Sequence, residues 1–225
     1  MSEEKNELIA LISSSVHDMK TPLMSISGFA EAMLDGTISK DRHEKYLSII
    51  KDEAARMQRI CEELLEASRL ETGTASYKRE RFDICESARR ILLSFENAVK
   101  CKQLQVSFDA PGEGIEVIFD QSSLLRVLYN ICENAVKFSY EKGYIRISFN
   151  ESEDNVVIRI ENSGEGVEAD ELDKIFLPFY KSGAMGGTGL GLFIAKRVLE
   201  AQGASISAES VFGRYMAFIV KIRKG

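Results

Sequence analysis

The sequence predicts two unlike parts: an all-α helical hairpin, built to pair into a dimeric four-helix bundle, and then an α/β sandwich. Three observations carry this. Apolar or small residues recur at alternating gaps of three and four through two N-terminal stretches, the seam of helices that pack on helices. A glycine-containing break separates those stretches, and the segment Thr72-Gly73-Thr74-Ala75-Ser76 follows them as a linker. Beyond the linker, short alternating strand patterns interleave with amphipathic helices.

The first helix is expected over residues 3–34, with its seam at Ile9, Ile12, Val16, Met19, Leu23, Ile26, Ala30 and Met33. His17 stands one residue past the seam and should look outward; Thr21, four residues on, shares its face, and Asp18 is near enough to orient an imidazole. Pro22 cannot donate to the Asp18 carbonyl, so a kink is expected there. Asp35-Gly36-Thr37 ends the helix, Gly36 suiting a left-handed C-terminal position. A second helix is expected from about Lys40 to Glu71, with its seam at Leu47, Ile50, Ala54, Met57, Cys61, Leu64 and Ser68, and with Ile60, Leu65 and Ala67 widening the face. One hairpin cannot bury both stripes, so two copies are expected to pair as a homodimer; the alternative is a hairpin packed on its own C-terminal domain.

From Arg81 the texture is mixed. Asp83 to about Cys101 reads as helix, and Leu104–Asp109 and Ile115–Phe119 as strands around the turn Pro111-Gly112-Glu113-Gly114. Asp120 can N-cap a helix through about Ser139. Tyr144–Asn150 and Val156–Glu161 alternate as antiparallel strands; a short helix from about Ala169, a helix at Gly191–Gln202 and strands at Ser205–Ser210 and Tyr215–Ile222 complete the sandwich.

The 225 residues suit one or two domains, and the 44% hydrophobic share suffices for a packed core. A net charge of −6 without a basic stripe argues against nucleic acid as a partner. Cys61, Cys85, Cys101 and Cys132 show no CxxC pair and read as small core residues in a reducing compartment. No apolar run reaches the ~18 residues of a membrane span, and the N-terminus has no signal-peptide pattern. A cytoplasmic chain is expected, joined to a membrane, if at all, through segments absent from it.

Four patches of the second part carry chemistry. Asn130, Asn134 and Lys137 lie at i, i+4 and i+7 on one helical face, two amide oxygens and an ammonium that suit magnesium and phosphates. Asn162-Ser163-Gly164-Glu165-Gly166 follows a strand, and Phe176-Leu177-Pro178-Phe179-Tyr180 is an apolar loop segment. Gly186-Gly187-Thr188-Gly189-Leu190-Gly191 runs into a helix, where glycines let backbone N–H groups approach phosphate oxygens. It is neither a P-loop nor GxGxxG, since no Gly-Lys-Ser/Thr follows and Leu192 takes the third glycine's place. Singly each patch is an ordinary polar face, turn or loop anchor, and a lone surface His such as His43 usually does nothing.

In this order, behind the His17 helix, the patches resemble the sensor histidine kinases of two-component signalling over essentially the whole chain. His17-Asp18-Met19-Lys20-Thr21-Pro22 resembles the family's H box, Asn130 to Phe138 its N box, Asn162 to Gly166 its G1 box, Phe176 to Phe179 its F box and Gly187 to Gly191 its G2 box. The resemblance implies a dimerisation and histidine phosphotransfer domain (1–73) and a catalytic ATP-binding domain of the gyrase, Hsp90 and histidine kinase type (81–225). It implies that His17 takes the γ-phosphoryl of ATP on Nε2 with Asp18 holding Nδ1, and that the phosphoryl passes to the aspartate of a response-regulator receiver domain. By the same resemblance Thr21 aims water at the phosphorylated regulator. Asn134 ligates Mg2+ with Asn130 near it, Lys137 and Lys181 reach phosphates, and Asn162, Gly164, Gly166, Phe179, Gly187, Thr188, Gly189, Leu190 and Gly191 line the nucleotide.

The sequence departs from the family pattern in two places. The G1 box usually opens with Asp, whose carboxylate accepts from the adenine amino group; here Asn162 offers a neutral amide oxygen. The stretch from Tyr180 to Gly187, the expected lid, is short. A degenerate kinase that docks a regulator or another kinase without turnover is the competing reading, and Asn162 is the feature that favours it.

Overall fold

The structure is a computed structural model that describes residues 2–180 and 188–224, with backbone alone at 2–12, 14 and 71. The chain divides into two compact units, Met1–Ala75 and Ser76–Gly225.

The first unit is a helical hairpin of α1 (Ser2–Leu34) and α2 (His43–Glu71), joined by a turn and a short 3-10 segment, Lys40–Arg42. Gly36 adopts φ +82°, a left-handed conformation that ends α1 without the penalty a Cβ would bring. The Ile38 N–H then returns to the Ala32 carbonyl (2.8 Å), the Asp35 carboxylate accepts from Thr37 N–H (2.8 Å), and Ile38 is buried. His43 lies 3.2 Å from the Ile38 carbonyl through Nε2, a local contact of the turn. α1 continues through Pro22, which has no backbone N–H to donate to the helical ladder.

The apolar seams of the hairpin divide in two. Phe29 of α1 meets Tyr46 of α2 with ring centroids 5.1 Å apart, which sets the stripe Tyr46, Glu53, Ile60 and Ala67 towards α1. Ile60 and Ala67 on that stripe are buried to 1% exposure. One residue further round α2, Leu47, Ala54 and Cys61 are exposed, and on α1 Val16 and Leu23 are exposed at the same seven-residue spacing. Leu65 is 58% exposed as well. Met19, Ile26, Ala30 and Met33 of α1 and Ile50, Met57 and Leu64 of α2 are half-buried between these extremes, while Ile9 and Ile12 fall outside the described side chains. The expected seams are therefore two adjoining stripes, an inner one and an outer one left open.

The second unit opens with β1 (Arg79–Asp83), which the sequence reading missed, followed by α3 (Ile84–Ser94) and α4 (Glu96–Cys101), split at Phe95 where one helix was expected. β2 (Gln105–Asp109), β3 (Glu116–Asp120) and α5 (Gln121–Phe138) follow, then β4 (Tyr144–Glu151), β5 (Asn155–Ser163), α6 (Gly191–Ala201), β6 (Ser205–Val211) and β7 (Tyr215–Arg223). The main sheet runs β2-β4-β5-β7-β6, with β2 and β4 parallel and every other pair antiparallel. β3 lies outside it, paired with β1 in a two-stranded ribbon.

Strand alternation sorts the faces. Val156, Ile158, Ile160 and Asn162 of β5 point to one side with Ile145 and Ile147 of β4 and Met216, Phe218, Val220 and Ile222 of β7, and all are buried. α5 and α6 cover that side through Leu124, Val127, Leu128, Ile131, Ala135, Ile194, Val198 and Leu199. Each such large side chain contributes roughly 1.5–3 kcal/mol by leaving water. The other side is polar: Glu161 accepts from Tyr144 Oη (3.0 Å), Arg146 (3.0 Å) and Arg159 (2.9 Å). Cys85 and Cys132 belong to this core, with burial raising their thiols to about 11 and about 12, whereas Cys61 and Cys101 are exposed, contrary to the expectation of four core cysteines. Cys61 sits one residue from the buried Ile60, a shift that apolar spacing does not resolve, and Cys101 ends α4, a helix with no buried residue.

Candidate functional site

In the hairpin unit, His17 projects from α1 with its side chain 83% exposed, and its Nδ1 lies 3.7 Å from Asp18 Oδ1. Thr21, one turn on, is exposed and Asp18 half-buried. Pro22 follows Thr21 directly, so histidine, acid, hydroxyl and proline fall within about one turn of α1.

In the α/β unit the polar groups converge at one end of the sheet. Asp120 N-caps α5: its carboxylate accepts from Ser123 N–H and Ser122 Oγ (both 2.8 Å) and from Lys78 N–H (2.7 Å). Burial pushes this carboxyl up, but those hydrogen bonds outweigh it and hold the group below its ordinary range. From that cap α5 presents Asn130, Asn134 and Lys137, all half-buried, at successive turns. Asn130 donates from Nδ2 to the Gly191 carbonyl at the start of α6 (3.3 Å), which leaves its oxygen as the atom that could face a cation. Lys137 Nζ stands 4.9 Å from the Phe138 ring centroid.

Asn162 ends the inner row of β5, the central strand, between Ile145 and Met216, and is 2% exposed. Its Nδ2 donates to the Ser163 carbonyl (3.1 Å). The row extends across the sheet to Ser210, opposite Met216, and Ser210 Oγ accepts from Val167 N–H (2.9 Å). Ser163 Oγ accepts from Tyr144 N–H (2.8 Å). Neither serine was singled out in the sequence; Ser163 lay inside a recognised patch, but nothing local marks Ser210, which reaches the loop only through the sheet. Gly164 packs against the Phe138 carbonyl, where a Cβ would come within 2.5 Å, so the loop after β5 closes on the end of α5. Gly166 combines φ +68° with a Cβ position 2.3 Å from Ser210 Oγ, which admits no other residue without a shift.

The apolar loop and the last glycine patch also meet. Phe179 N–H donates to the Gly189 carbonyl (2.9 Å), and Phe179 holds φ +65°, a strained conformation for a bulky residue. Gly189 has φ +71° and would place a Cβ 2.7 Å from Phe179 backbone. Thr188 Oγ accepts from Leu190 N–H (3.2 Å), Leu190 is fully buried, and Gly191 starts α6 against Asn130. Lys181 and Gly187 lie outside the described residues. The structure thus joins Asn130 to Gly191, Phe138 to Gly164 and Phe179 to Gly189, so the four patches form one rim around the ends of β5 and α5. Such a rim, with backbone exposed at glycines, two amides and an ammonium, has the donors and acceptors that a nucleotide, its phosphates and a hard cation require. Among the described residues no group of three or more His, Cys, Asp or Glu is placed to hold a metal ion. No helix among the described residues is long and apolar enough to cross a membrane.

Comparison with known proteins assigns both units. Residues 7–73 match the family model of the His Kinase A (phospho-acceptor) domain, and residues 119–225 that of the histidine kinase-, DNA gyrase B- and HSP90-like ATPase. The chain is 32% identical to sensor histidine kinase WalK of Bacillus subtilis (strain 168), over 95% of this chain and 36% of the relative. It is 28% identical to sensor protein SrrB of Staphylococcus aureus (strain MRSA252), over 100% of this chain and 39% of that relative. The chain therefore spans little more than a third of the length of these curated relatives. Among solved structures, histidine kinase ThkA in complex with response regulator protein TrrA superposes with a TM-score of 0.80 at 26% identity, covering 100% of this chain and 64% of that one. Acinetobacter baumannii histidine kinase AdeS shares the fold at a TM-score of 0.77 and 23% identity, covering 93% of this chain and 98% of that one. A phospho-acceptor hairpin followed by an ATPase sandwich, each matched in order, makes this chain a member of the sensor histidine kinase family.

Proposed function

We propose that the chain is an ATP-dependent histidine autokinase that phosphorylates His17 and passes the phosphoryl group to an aspartate of a response-regulator receiver domain. The observation that carries this is the exposed His17 ring with Asp18 facing its Nδ1 at 3.7 Å. A carboxylate on that side favours the tautomer with the proton on Nδ1, which leaves the Nε2 lone pair free as nucleophile. Nε2 attacks the γ-phosphorus of ATP, the bond to the β,γ-bridging oxygen breaks, ADP departs and a phosphoramidate forms. A regulator carboxylate oxygen then attacks the same phosphorus and His17 regains its free nitrogen.

The α/β unit supplies ATP. Asn162 accepts from the adenine amino group through the oxygen that its bond to Ser163 leaves available. Lys137 and the backbone around Gly189 and Gly191 receive the phosphates, with Lys181 and Gly187 as further contacts. Mg2+ would be held by Asn134 with Asn130 beside it, and supplies neutralisation of phosphate charge. Thr21, exposed one turn from His17, directs water at the phosphorylated regulator and gives the chain phosphatase activity. The open stripe of Val16, Leu23, Leu47 and Leu65 is the face on which a second copy packs, making a homodimer. ATP as phosphoryl donor and a receiver domain as acceptor place the work in the cytoplasm.

The test is incubation with γ-labelled ATP and Mg2+. Wild type is expected to take up acid-labile label, His17→Gln none, and His43→Gln as much as wild type, since His43 serves the α1–α2 turn. Native labelling of His17→Gln overturns the assignment. Absence of label on wild type favours the docking-dimer reading.

A further inference from the structure

Lys102 lies outside all the patches that carry the nucleotide chemistry, and a role for it rests on the reading of the α/β unit as an ATP site. Lys102 follows α4 and its Nζ reaches three backbone carbonyls at the end of α5: Val136 (3.0 Å), Lys137 (2.6 Å) and Ser139 (3.0 Å). The last four carbonyls of a helix have no partner within it, and a cation there also meets the negative end of the helix dipole. Here the accounting nearly closes on one residue. Ala135 receives Ser139 N–H (3.1 Å) and Ser139 Oγ (2.6 Å), and Val136 and Lys137 receive Lys102. Phe138 faces Gly164 across the Ser139–Gly164 bridge.

The ammonium is itself fixed. Lys102 N–H donates to Ala98 (3.1 Å), the Lys102 carbonyl accepts from Lys142 N–H (2.8 Å), and Lys102 is half-buried. From the carbonyls it holds, the connection runs directly into the site. Ser139 is bridged to Gly164, and Tyr140 N–H donates to the Ser163 carbonyl (3.2 Å), the same carbonyl that takes Asn162 Nδ2 (3.1 Å). The last turn of α5 also carries Lys137.

We propose that Lys102 is a positioning residue for nucleotide binding: by gathering three carbonyls it fixes the last turn of α5, and through Ser139 and Ser163 it sets the places of Lys137, Gly164 and Asn162. A tetrahedral ammonium converges on three oxygens, whereas a planar guanidinium does not. Methionine keeps the stem and removes every donor.

The experiment is titration calorimetry of ATP with Mg2+ on the full chain, with thermal melts and steady-state ATP kinetics for wild type, Lys102→Met and Lys102→Arg. Lys102→Met is expected to bind ATP roughly tenfold more weakly, by loss of charge-assisted bonds that order the site. Its KM for ATP should rise by about the same factor while kcat changes less than about threefold, since Lys102 touches no reacting atom. Lys102→Arg keeps the charge but loses convergence, and is expected to weaken ATP about threefold with an unchanged Tm. ATP binding within twofold of wild type by folded Lys102→Met overturns the proposal. If Lys102→Met does not fold, Lys102→Arg decides: native affinity overturns the proposal, and weakened affinity at native Tm supports it. Failure of wild type to bind ATP overturns the functional reading together with this inference, so the two failures are told apart.

Discussion

The two units solve the problem of burial differently. The α/β unit closes its core within one chain: Ile145, Ile147, Ile158, Ile160, Leu124, Leu128 and Ile131 are all buried to about 1% or less. The hairpin buries Ile60 and Ala67 yet leaves Val16, Leu23, Leu47 and Leu65 more than half exposed. Two helices offer each other one stripe each, and these helices carry two. On the proposed dimer, the hairpin is half of a fold and the sandwich a whole one. The stability of the first should depend on concentration and that of the second should not. The proposed chemistry divides the same way, with the proposed acceptor His17 on the hairpin and the proposed nucleotide groups on the α/β unit.

The largest expected effect uses that independence. Asn134→Ala removes a half-buried amide from α5 without opening the core. Magnesium-dependent ATP turnover is expected to fall roughly a hundredfold or more, because the loss is of the proposed cation ligand, while the melting of the α/β unit and the association of hairpins stay as in wild type. Turnover within a few-fold of wild type would show that Asn134 holds no metal. Leu47→Glu strikes the other unit. Leu47 is 54% exposed in the single chain, so the carboxylate costs the monomer little, yet a paired seam would have to desolvate it. A dimer weakened roughly a hundredfold, seen by sedimentation, with ATP binding unchanged, is expected for a cost of about 3 kcal/mol. Native association of Leu47→Glu would move the interface off this stripe.

A smaller effect probes how the α/β unit holds its own helix. Asp120→Ala removes the N-cap of α5 and the acceptor of Lys78 N–H, and is expected to cost about 2 kcal/mol of unfolding free energy. The carboxyl is depressed in the folded state, so its contribution is present above the unfolded carboxylate value of about 4 and is lost as pH falls through the lower folded value. Asp120→Asn, which cannot titrate, should flatten the acid limb of stability measured by denaturant melts from pH 6 downwards. A wild-type acid limb in Asp120→Asn would assign the acid sensitivity elsewhere.

How legible these features were in the sequence follows from their range. The caps and periodic helices are local, and Asp120, Gly36 and the face of Asn130, Asn134 and Lys137 needed nothing beyond spacing. β1 was missed because Arg79-Glu80-Arg81-Phe82-Asp83 has no apolar alternation and is a strand only through pairing with β3. The same pairing removes β3 from the main sheet, a fact of topology that its own residues do not carry. The one-residue offset between Ile60 and Cys61 separates two apolar stripes of the hairpin that a 3-and-4 pattern merges. The rim contact of Asn130 with Gly191, 61 residues on, spans too much chain for any motif to state.

Asn162 provides the finest test, because it asks the complete unit to alter one hydrogen bond. Its Nδ2 donates to the Ser163 carbonyl at 3.1 Å, so the amide is oriented, and its oxygen is the atom left for a base. Flipping the amide would set oxygen against oxygen, which disfavours donation to the carbonyl of guanine and favours acceptance from adenine. Asn162→Asp places a carboxylate oxygen where the donor stood. In the free protein this loses a bond and opposes two acceptors in a 2% exposed position, and stability is expected to fall by about 1 kcal/mol. With ATP bound, the other oxygen accepts a charge-assisted bond from the adenine amino group, expected to tighten binding several-fold, on the order of 1 kcal/mol. The two changes should therefore run in opposite directions: a lower Tm without nucleotide, and a smaller Kd for ATP with sharper rejection of GTP by calorimetry. A lower Tm with unchanged or weaker ATP binding would mean that Asn162 orders the end of β5 for Ser163 and does not touch the base.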